Sequence, residues 1–376
     1  MNPQYPLKPD CRHFRSDRPC APHKRAGKIC PTCDEYDPSA ARVLLIKLAA
    51  MGDVLRTTCL LRGLKTRFGA PIVWVTRPES VELLQHNPFI TEVWTDDQEL
   101  PARLDAEPFR TVINVDADRA SAGLCALARA KEKLGFTLGA HGDVVPLGEA
   151  ARTWSYLGVN DELKRQNQRT YQQIVAEIAG IPARENELVF VLTDAERAAA
   201  RQFAGRSLPA TADAIVGFNT GGADRWKRKQ WTFEGFLDLG RRILRDTRHG
   251  IVLYGGRGEE EFNRRLEEAL ANPRVVDVNT GRSVREFGAM LELCDVLVTG
   301  DTLGLHLAAA LGKHIVALFG PTSVSEIDLY GRGTKIAPAM ECRSFYRPVC
   351  EVSPCCVETI DPATVFAAVE QALSAR

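Results

Sequence analysis

The sequence predicts an α/β protein of two facing domains, each built on a parallel sheet, behind a short cysteine-rich N-terminal segment. Three observations carry this expectation. Short runs rich in leucine and β-branched residues alternate with amphipathic stretches from residue 42 onward. The alternation comes in two sets, the second starting near residue 214. Ahead of both, residues 1–38 have no helix or strand period, yet hold Cys11, Cys20, Cys30 and Cys33. A chain of 376 residues is also too long for one ordinary core.

In the first set, RVLLIKL (42–48) is a buried parallel strand by composition. AAMGDVLRTTCLLRGLKTRF leads from a loop into a helix, PIVWVT (71–76) is a second strand, and SVELLQHN a helix. TEVWT and FRTVINVD read as further strands, SAGLCALARAKEKL as a helix and KLGFTL as its exit. Residues 151–186 are helical, and the polar, Ala- and Arg-rich stretch 194–212 reads as the crossing between domains. The second set runs from AIVGFN (214–219) through strands GIVLYGG, VVDVN, DVLVTGD and HIVALFG, with helices between them. A last helix near 362–375 follows a second cysteine group. The expected organisation is a segment 1–38, an N-terminal domain 39–195, a C-terminal domain 196–340, and a closing segment 341–376.

Composition narrows the partners. Lys plus Arg and Asp plus Glu are 48 each, so net charge gives no pull toward nucleic acid. The N-terminal twenty residues are polar, without the apolar core of a leader, and no run approaches the ~18 apolar residues of a membrane span. A cytoplasmic location is expected, where clustered cysteines suggest metal rather than disulfides. Cys59, Cys125 and Cys294 lie among apolar neighbours and read as core residues.

Open α/β sheets bind ligands at the carboxyl ends of their strands. Four glycine-containing turns occupy such places. In KLAAMGDVLRTT, Gly52 permits a tight turn and Asp53 opens a helix, either as an N-cap or as a general base facing a cleft. In FNTGGADRWKRKQW, Thr220, Gly221 and Gly222 offer donors beside Lys229 and other basic residues, a combination suited to a diphosphate or simply a solvated loop. In YGGRGEEEF, Glu259 either accepts ribose hydroxyls or complements a helix dipole. In VTGDTLGLHLAAALGK, Asp301 and Thr302 begin a helix whose N–H groups can face a phosphate, and His306 reads as structural.

In the N-terminal pattern C-x8-C-x9-C-x2-C, the Cys30–Cys33 pair has the spacing of a structural zinc knuckle, so zinc is favoured over iron or an iron–sulfur cluster. Cys342, Cys350, Cys355 and Cys356 form C-x7-C-x4-C-C, either a metal site or buried thiols.

Taken together, LLIKLAAMGDVLRTTCLLRGLKTRFG, VINVDADRASAGLCALARAKEKLGF, KQWTFEGF, YGGRGEEEF, CDVLVTGDTLGLHLAAALGKHIVALFGPTS and CVETIDPATV resemble, in order, glycosyltransferase family 9, the ADP-heptose:lipopolysaccharide heptosyltransferases. The resemblance runs from about residue 42 to the end. It implies the GT-B fold, two facing Rossmann-like domains with acceptor bound by the first and nucleotide sugar by the second. It implies an inverting transfer of heptose or a related sugar from an ADP-sugar, with no cofactor or metal in catalysis, to a glycan, lipopolysaccharide-core, lipid-linked or protein acceptor. Asp53 matches the family's general base, Lys229 its diphosphate lysine, Thr220 its phosphate loop, Glu259 its ribose acid, and Asp301 and Thr302 its sugar- and phosphate-facing pair. Arg56, with Arg62, Lys65 and Arg67, is placed to meet an anionic acceptor, peripheral to the inner membrane, or to be the wet face of a helix.

Two features depart from the family. Leu303 follows the Asp-Thr pair where family members carry glycine, which narrows the donor pocket. Segment 1–38 is foreign to the lipopolysaccharide enzymes, although a branch that glycosylates autotransporters carries cysteine-bound iron. The final helix of a GT-B chain commonly returns to the N-terminal domain, which would let both cysteine groups meet near the hinge. Two other readings are a Rossmann oxidoreductase with an iron–sulfur cluster, which lacks its G-x-G-x-x-G fingerprint here, and a non-catalytic sugar-nucleotide or metal-sensing module.

Overall fold

The structure is a computed structural model that describes residues 7–38, 42–183, 186–208, 211–222, 229–278, 282–338, 340, 345–347 and 350–374. The first sheet contains β1 (Val43–Ile46), β2 (Ile72–Thr76), β3 (Ile90–Thr95), β4 (Phe109–Asn114), β5 (Ala130–Leu138) and β6 (Val144–Leu147), in the order β3-β2-β1-β4-β5-β6. All its pairs are parallel except β5 with β6. The second contains β7 (Ile215–Asn219), β8 (Gly250–Tyr254), β9 (Val275–Asp277), β10 (Val296–Gly300), β11 (His314–Leu318) and β12 (Gly333–Ile336), ordered β12-β11-β10-β7-β8-β9 and parallel throughout.

Central strands are buried on both faces, which is why VLLI, IVWVT and VLVTG read as continuous apolar runs without alternation. Cys59, Cys125 and Cys294 are buried among them. One apolar cluster joins the two halves. It includes Leu55 and Leu60 below the first sheet, Leu188 and Phe190 in the crossing segment, and Leu305 and Leu307 below the second.

Four local expectations change. The helix after β4 ends at Leu127, and Ala130–Leu138 is a strand. Its pairing with β4 satisfies the backbone and overrides the helical propensity of AKEKL. Gly135 is required there, because at φ +89° a Cβ would lie 1.7 Å from the Asn114 carbonyl oxygen. The stretch expected to cross between domains is largely helix, Asp194–Ser207, started by a Thr193/Glu196 capping box and packed on helix Val284–Leu291 of the second half. The final helix, Pro362–Ser374, does not return to the N-terminal domain. Val365, Ala368, Val369 and Ala372 pack into the second sheet's own core with Phe236 and Ile243. Among the described residues, Cys350, Cys355 and Cys356 cluster with Met340 and Val357, and none of them lines the cavity that Cys11, Cys20, Cys30 and Cys33 share.

The N-terminal segment docks at the end of the first sheet opposite the strand termini that carry the turns. Arg12 bridges Asp37 and Glu92 of β3, while Arg42, just before β1, pairs with Glu92 and Glu107.

Candidate active site

The carboxyl ends of β1, β4, β7, β8 and β10 converge on an interdomain cavity of about 790 Å³. From the first half it is lined by Asp53, Arg56, Lys47, Asp116, Trp154, Lys164 and Tyr171. From the second half come Gly221, Gly222, Lys229, Glu259, Asp301, Thr302, Leu303, His306, Glu326 and Tyr346.

Asp53 sits on the third residue of helix Met51–Thr57, one turn past the end of β1. It is not a cap: the N-cap is Ala50 and no side chain caps this helix. The Asp53 carboxylate is 40% exposed to the cleft and accepts from Arg56 Nη1 at 3.4 Å. Gly52 serves a different purpose from a tight turn. A Cβ there would meet His306 Cδ2 at 3.0 Å, so glycine lets helix Met51–Thr57 approach helix Leu303–Ala310 across the cleft. Burial and Arg56 push the His306 imidazole down to about 3, against the pull of Asp301 and Asp53, so it is a neutral wall near neutral pH.

Arg56 is buried. Its guanidinium stacks 4.1 Å from the Tyr171 ring centre and donates to the Glu326 carbonyl at 2.9 Å. These contacts commit it to holding Asp53 and the domain junction, so Arg56 is not on the wet face of its helix, and little of it is left for an incoming anion. Beside it, Lys47 is ion-paired with Asp116, whose other oxygen accepts from Leu48 N at 2.6 Å and Ala49 N at 3.1 Å. Burial alone would lower the Lys47 pKa, but Asp116, Tyr171 and Asp53 hold it above the usual lysine range.

On the opposite wall, Lys229 Nζ lies 3.0 Å from Asp301 Oδ2. Gly300 makes this possible: a Cβ would stand 2.3 Å from the Lys229 carbonyl oxygen. Burial raises the Asp301 pKa, but Lys229, His306 and Arg56 outweigh it and hold the carboxyl down at about 2. Thr302 caps helix Leu303–Ala310 by position, and its Oγ1 accepts from Asn219 Nδ2 at 2.9 Å. The helix's first N–H groups and macrodipole are therefore free of a side-chain cap, an arrangement that favours anions. Glu259 accepts from Gly256 N at 2.7 Å and lies 3.5 Å from Gly222 N, closing the β7 and β8 turns against each other.

The structure thus brings Asp53, Arg56, Gly221, Gly222, Lys229, Glu259, Asp301 and Thr302 to one cavity. Thr220 stays beneath it. Its fully buried hydroxyl donates to Asn263 Oδ1 at 2.6 Å and lies 3.0 Å from the Tyr254 carbonyl, so it braces the loop. Arg225, Lys227 and Arg228, the basic residues ahead of Lys229, lie outside the described residues.

Sequence reasoning missed several lining groups. Lys47 and Asp116 were detectable as charges ending apolar strands, a position that favours ligands in this kind of sheet. Glu326 had no such signal, since it comes from an irregular stretch after β11. Burial raises its pKa, with Lys164 at 4.0 Å and Arg56 opposing. Lys164 also lies 3.6 Å from the Tyr346 ring centre.

The cysteines are elsewhere. Cys11, Cys20, Cys30 and Cys33 line a second cavity formed only by residues 7–36. Cys350, Cys355 and Cys356 cluster with Met340 and Val357, and Cys342 lies outside the described residues. Among the described residues, no three of His, Cys, Asp and Glu are grouped closely enough to hold one metal ion. No described helix is long and apolar enough to cross a membrane.

Comparison with known proteins places this architecture. A family model for glycosyltransferase family 9 (heptosyltransferase) matches residues 99–344. Over 112 residues, 29% of this chain, it is 28% identical to lipooligosaccharide heptosyltransferase 2 of Haemophilus influenzae, a stretch spanning only 32% of that relative's length. The crystal structure of a glycosyl transferase family 9 protein from Veillonella parvula superposes with a TM-score of 0.75 at 19% identity, covering 89% of this chain and 98% of that one. The dodecameric iron-containing heptosyltransferase TibC, solved with ADP-D-β-D-heptose, superposes with a TM-score of 0.53 at 12% identity, covering 93% and 81%. These likenesses establish the two-domain GT-B fold. With 246 consecutive residues inside the family model and that fold around a single interdomain cleft, the chain belongs to glycosyltransferase family 9, the heptosyltransferase family.

Proposed function

We propose that this protein transfers heptose from ADP-heptose to an acceptor hydroxyl with inversion, using Asp53 as general base. The observation that carries the reading is the opposition across one cleft of a carboxylate 40% exposed, Asp53, and a cationic, N–H-rich wall around Lys229 and helix Leu303–Ala310. The acceptor oxygen attacks the anomeric carbon as the bond from that carbon to the phosphate oxygen breaks. The bonding pair leaves with ADP, and the hydroxyl proton passes to the Asp53 carboxylate. Lys229, the glycine N–H groups of the β7 turn and the helix N-terminus stabilise the charge that grows on the leaving diphosphate. Glu259 is placed to accept ribose hydroxyls. The choice of ADP-heptose follows the TibC structure, which holds ADP-D-β-D-heptose, and the Haemophilus influenzae relative, a lipooligosaccharide heptosyltransferase.

Arg56 acts on the acceptor side by fixing Asp53, and Lys164, on the same wall and held beside Glu326 and the Tyr346 ring, adds positive charge for an anionic glycan or lipid-linked acceptor. Heat denaturation with and without ligand tests the donor. ADP-heptose should raise the midpoint, by the equivalent of about 2.7 kcal/mol at a hundredfold excess over Kd. A rise with NAD and none with ADP-heptose would favour an oxidoreductase instead.

A further inference from the structure

The N-terminal segment does not pack as a miniature domain. Among its described residues, 7–38, Pro22 is the one that is buried. A segment this short and polar has no core of its own to hold a shape. Nevertheless it has a defined frame. Cys11 bridges to Pro38, Arg12 N donates to the Asp37 carbonyl at 2.9 Å, and the Arg12 guanidinium ties this closure to Asp37 and to Glu92 of the first sheet. Cys20 precedes helix Ala21–Ala26, while Cys30 opens and Cys33 follows the turn Cys30–Thr32.

Inside this frame the side chains surround a cavity of about 620 Å³, and all four cysteines face it. Each is partly buried and none is in a disulfide. Phe14 and Ile29 give the wall apolar surface, and Lys8, Arg15 and Arg18 add positive charge.

These facts distinguish between two kinds of thiolate centre. Tetrahedral zinc draws four sulfurs to about 2.3 Å from one point. The described thiols and imidazoles do not converge in that way on any one point, although they share one cavity. A cubane iron–sulfur cluster instead has its own volume and presents one iron to each of four outlying thiolates. Such a cluster with its ligands is anionic, which suits the basic wall, and its inorganic core is shielded by apolar surface. We propose that Cys11, Cys20, Cys30 and Cys33 ligate a [4Fe–4S] cluster that sits in this cavity and orders the segment. This replaces the zinc expected from the Cys30–Cys33 spacing. The site lies at the opposite end of the first sheet from the cleft, so sugar transfer does not pass through it.

The test uses the full chain, purified without oxygen and also reconstituted with ferrous iron and sulfide. The expected result is about four irons and four acid-labile sulfides per chain, with a broad visible absorption that dithionite bleaches. Cys30→Ser/Cys33→Ser should lose the iron, the sulfide and the absorption while keeping ADP affinity, which reports that the two large domains remain folded. Cys355→Ser/Cys356→Ser should keep all three. One zinc per chain without labile sulfide overturns the proposal. So does equal iron in the parent and the Cys30/Cys33 variant, or failure of the parent to take up both iron and sulfide on reconstitution.

Discussion

Lys229→Met separates donor binding from folding, because the methionine keeps the aliphatic stem and removes only the ammonium. In the parent, Lys229 Nζ sits 3.0 Å from a partly buried Asp301 whose carboxyl is held down at about 2. The lysine therefore screens this carboxylate from any diphosphate entering the cleft, as well as contacting the phosphates directly. A charge-assisted phosphate contact contributes roughly 1.5–3 kcal/mol, which corresponds to about 10- to 150-fold in Kd. Removing the ammonium also leaves Asp301 with less compensation, which acts against the anion in the same direction. ADP titrated calorimetrically into Lys229→Met should thus bind at least tenfold more weakly than into the parent. Stability will fall too, so the informative companion is Lys229→Met/Asp301→Asn. This double variant relieves the unpaired carboxylate and should recover much of the thermal stability without recovering the full ADP affinity. Unchanged ADP affinity in Lys229→Met would refute the reasoning, since the phosphates would then lie elsewhere.

Two further outcomes are expected. Thr220→Val removes a buried hydroxyl that satisfies Asn263, so it should cost about 1–3 kcal/mol in denaturant unfolding while ADP affinity changes little; a large affinity loss at unchanged stability would place Thr220 on the phosphates. Acid stability should depend on Glu196 and Asp301: Arg285 and the Thr193 cap hold the Glu196 carboxyl down at about 2, and Asp301 is held equally low. Both carboxyls are depressed in the fold, so their contribution is complete above the ordinary values of 4.5 and 3.8 and drains as pH falls toward about 2. Glu196→Gln should therefore lower stability at neutral pH by on the order of 2 kcal/mol and flatten the acid slope; parallel slopes in the two proteins would contradict this assignment.

Much of this architecture was legible because the central strands are buried on both faces and have no polar side to interrupt them. Asp53, Lys229, Glu259 and Asp301 were legible for a related reason: Asp301 directly follows β10, and the others lie in the turns or first helix turns that follow β1, β7 and β8, the ends at which parallel sheets bind ligands. Strand β5 was obscured by AKEKL, whose residues favour helix locally and become strand only through pairing with β4. Helix Asp194–Ser207 looked like a linker because its apolar side is little more than small alanines, of which Ala200 is buried. The reasons for Gly52 and Gly300 were invisible in the sequence, because each is set by an atom far along the chain or across the cleft, His306 and the Lys229 carbonyl. Glu326 and Tyr346 escaped for the same reason, since irregular segments carry no period to say which way they face.

The role of Asp53 is the centre of the account, and Asp53→Asn tests it most directly. The assay is ADP release from ADP-heptose in the presence of a lipopolysaccharide-core acceptor, run beside calorimetric ADP binding. Asparagine keeps the shape and cannot take the acceptor's proton, so turnover should fall by ~10²–10⁴-fold while ADP affinity stays at the parent value. Near-parent turnover by Asp53→Asn would contradict the account and remove this carboxylate from the chemistry.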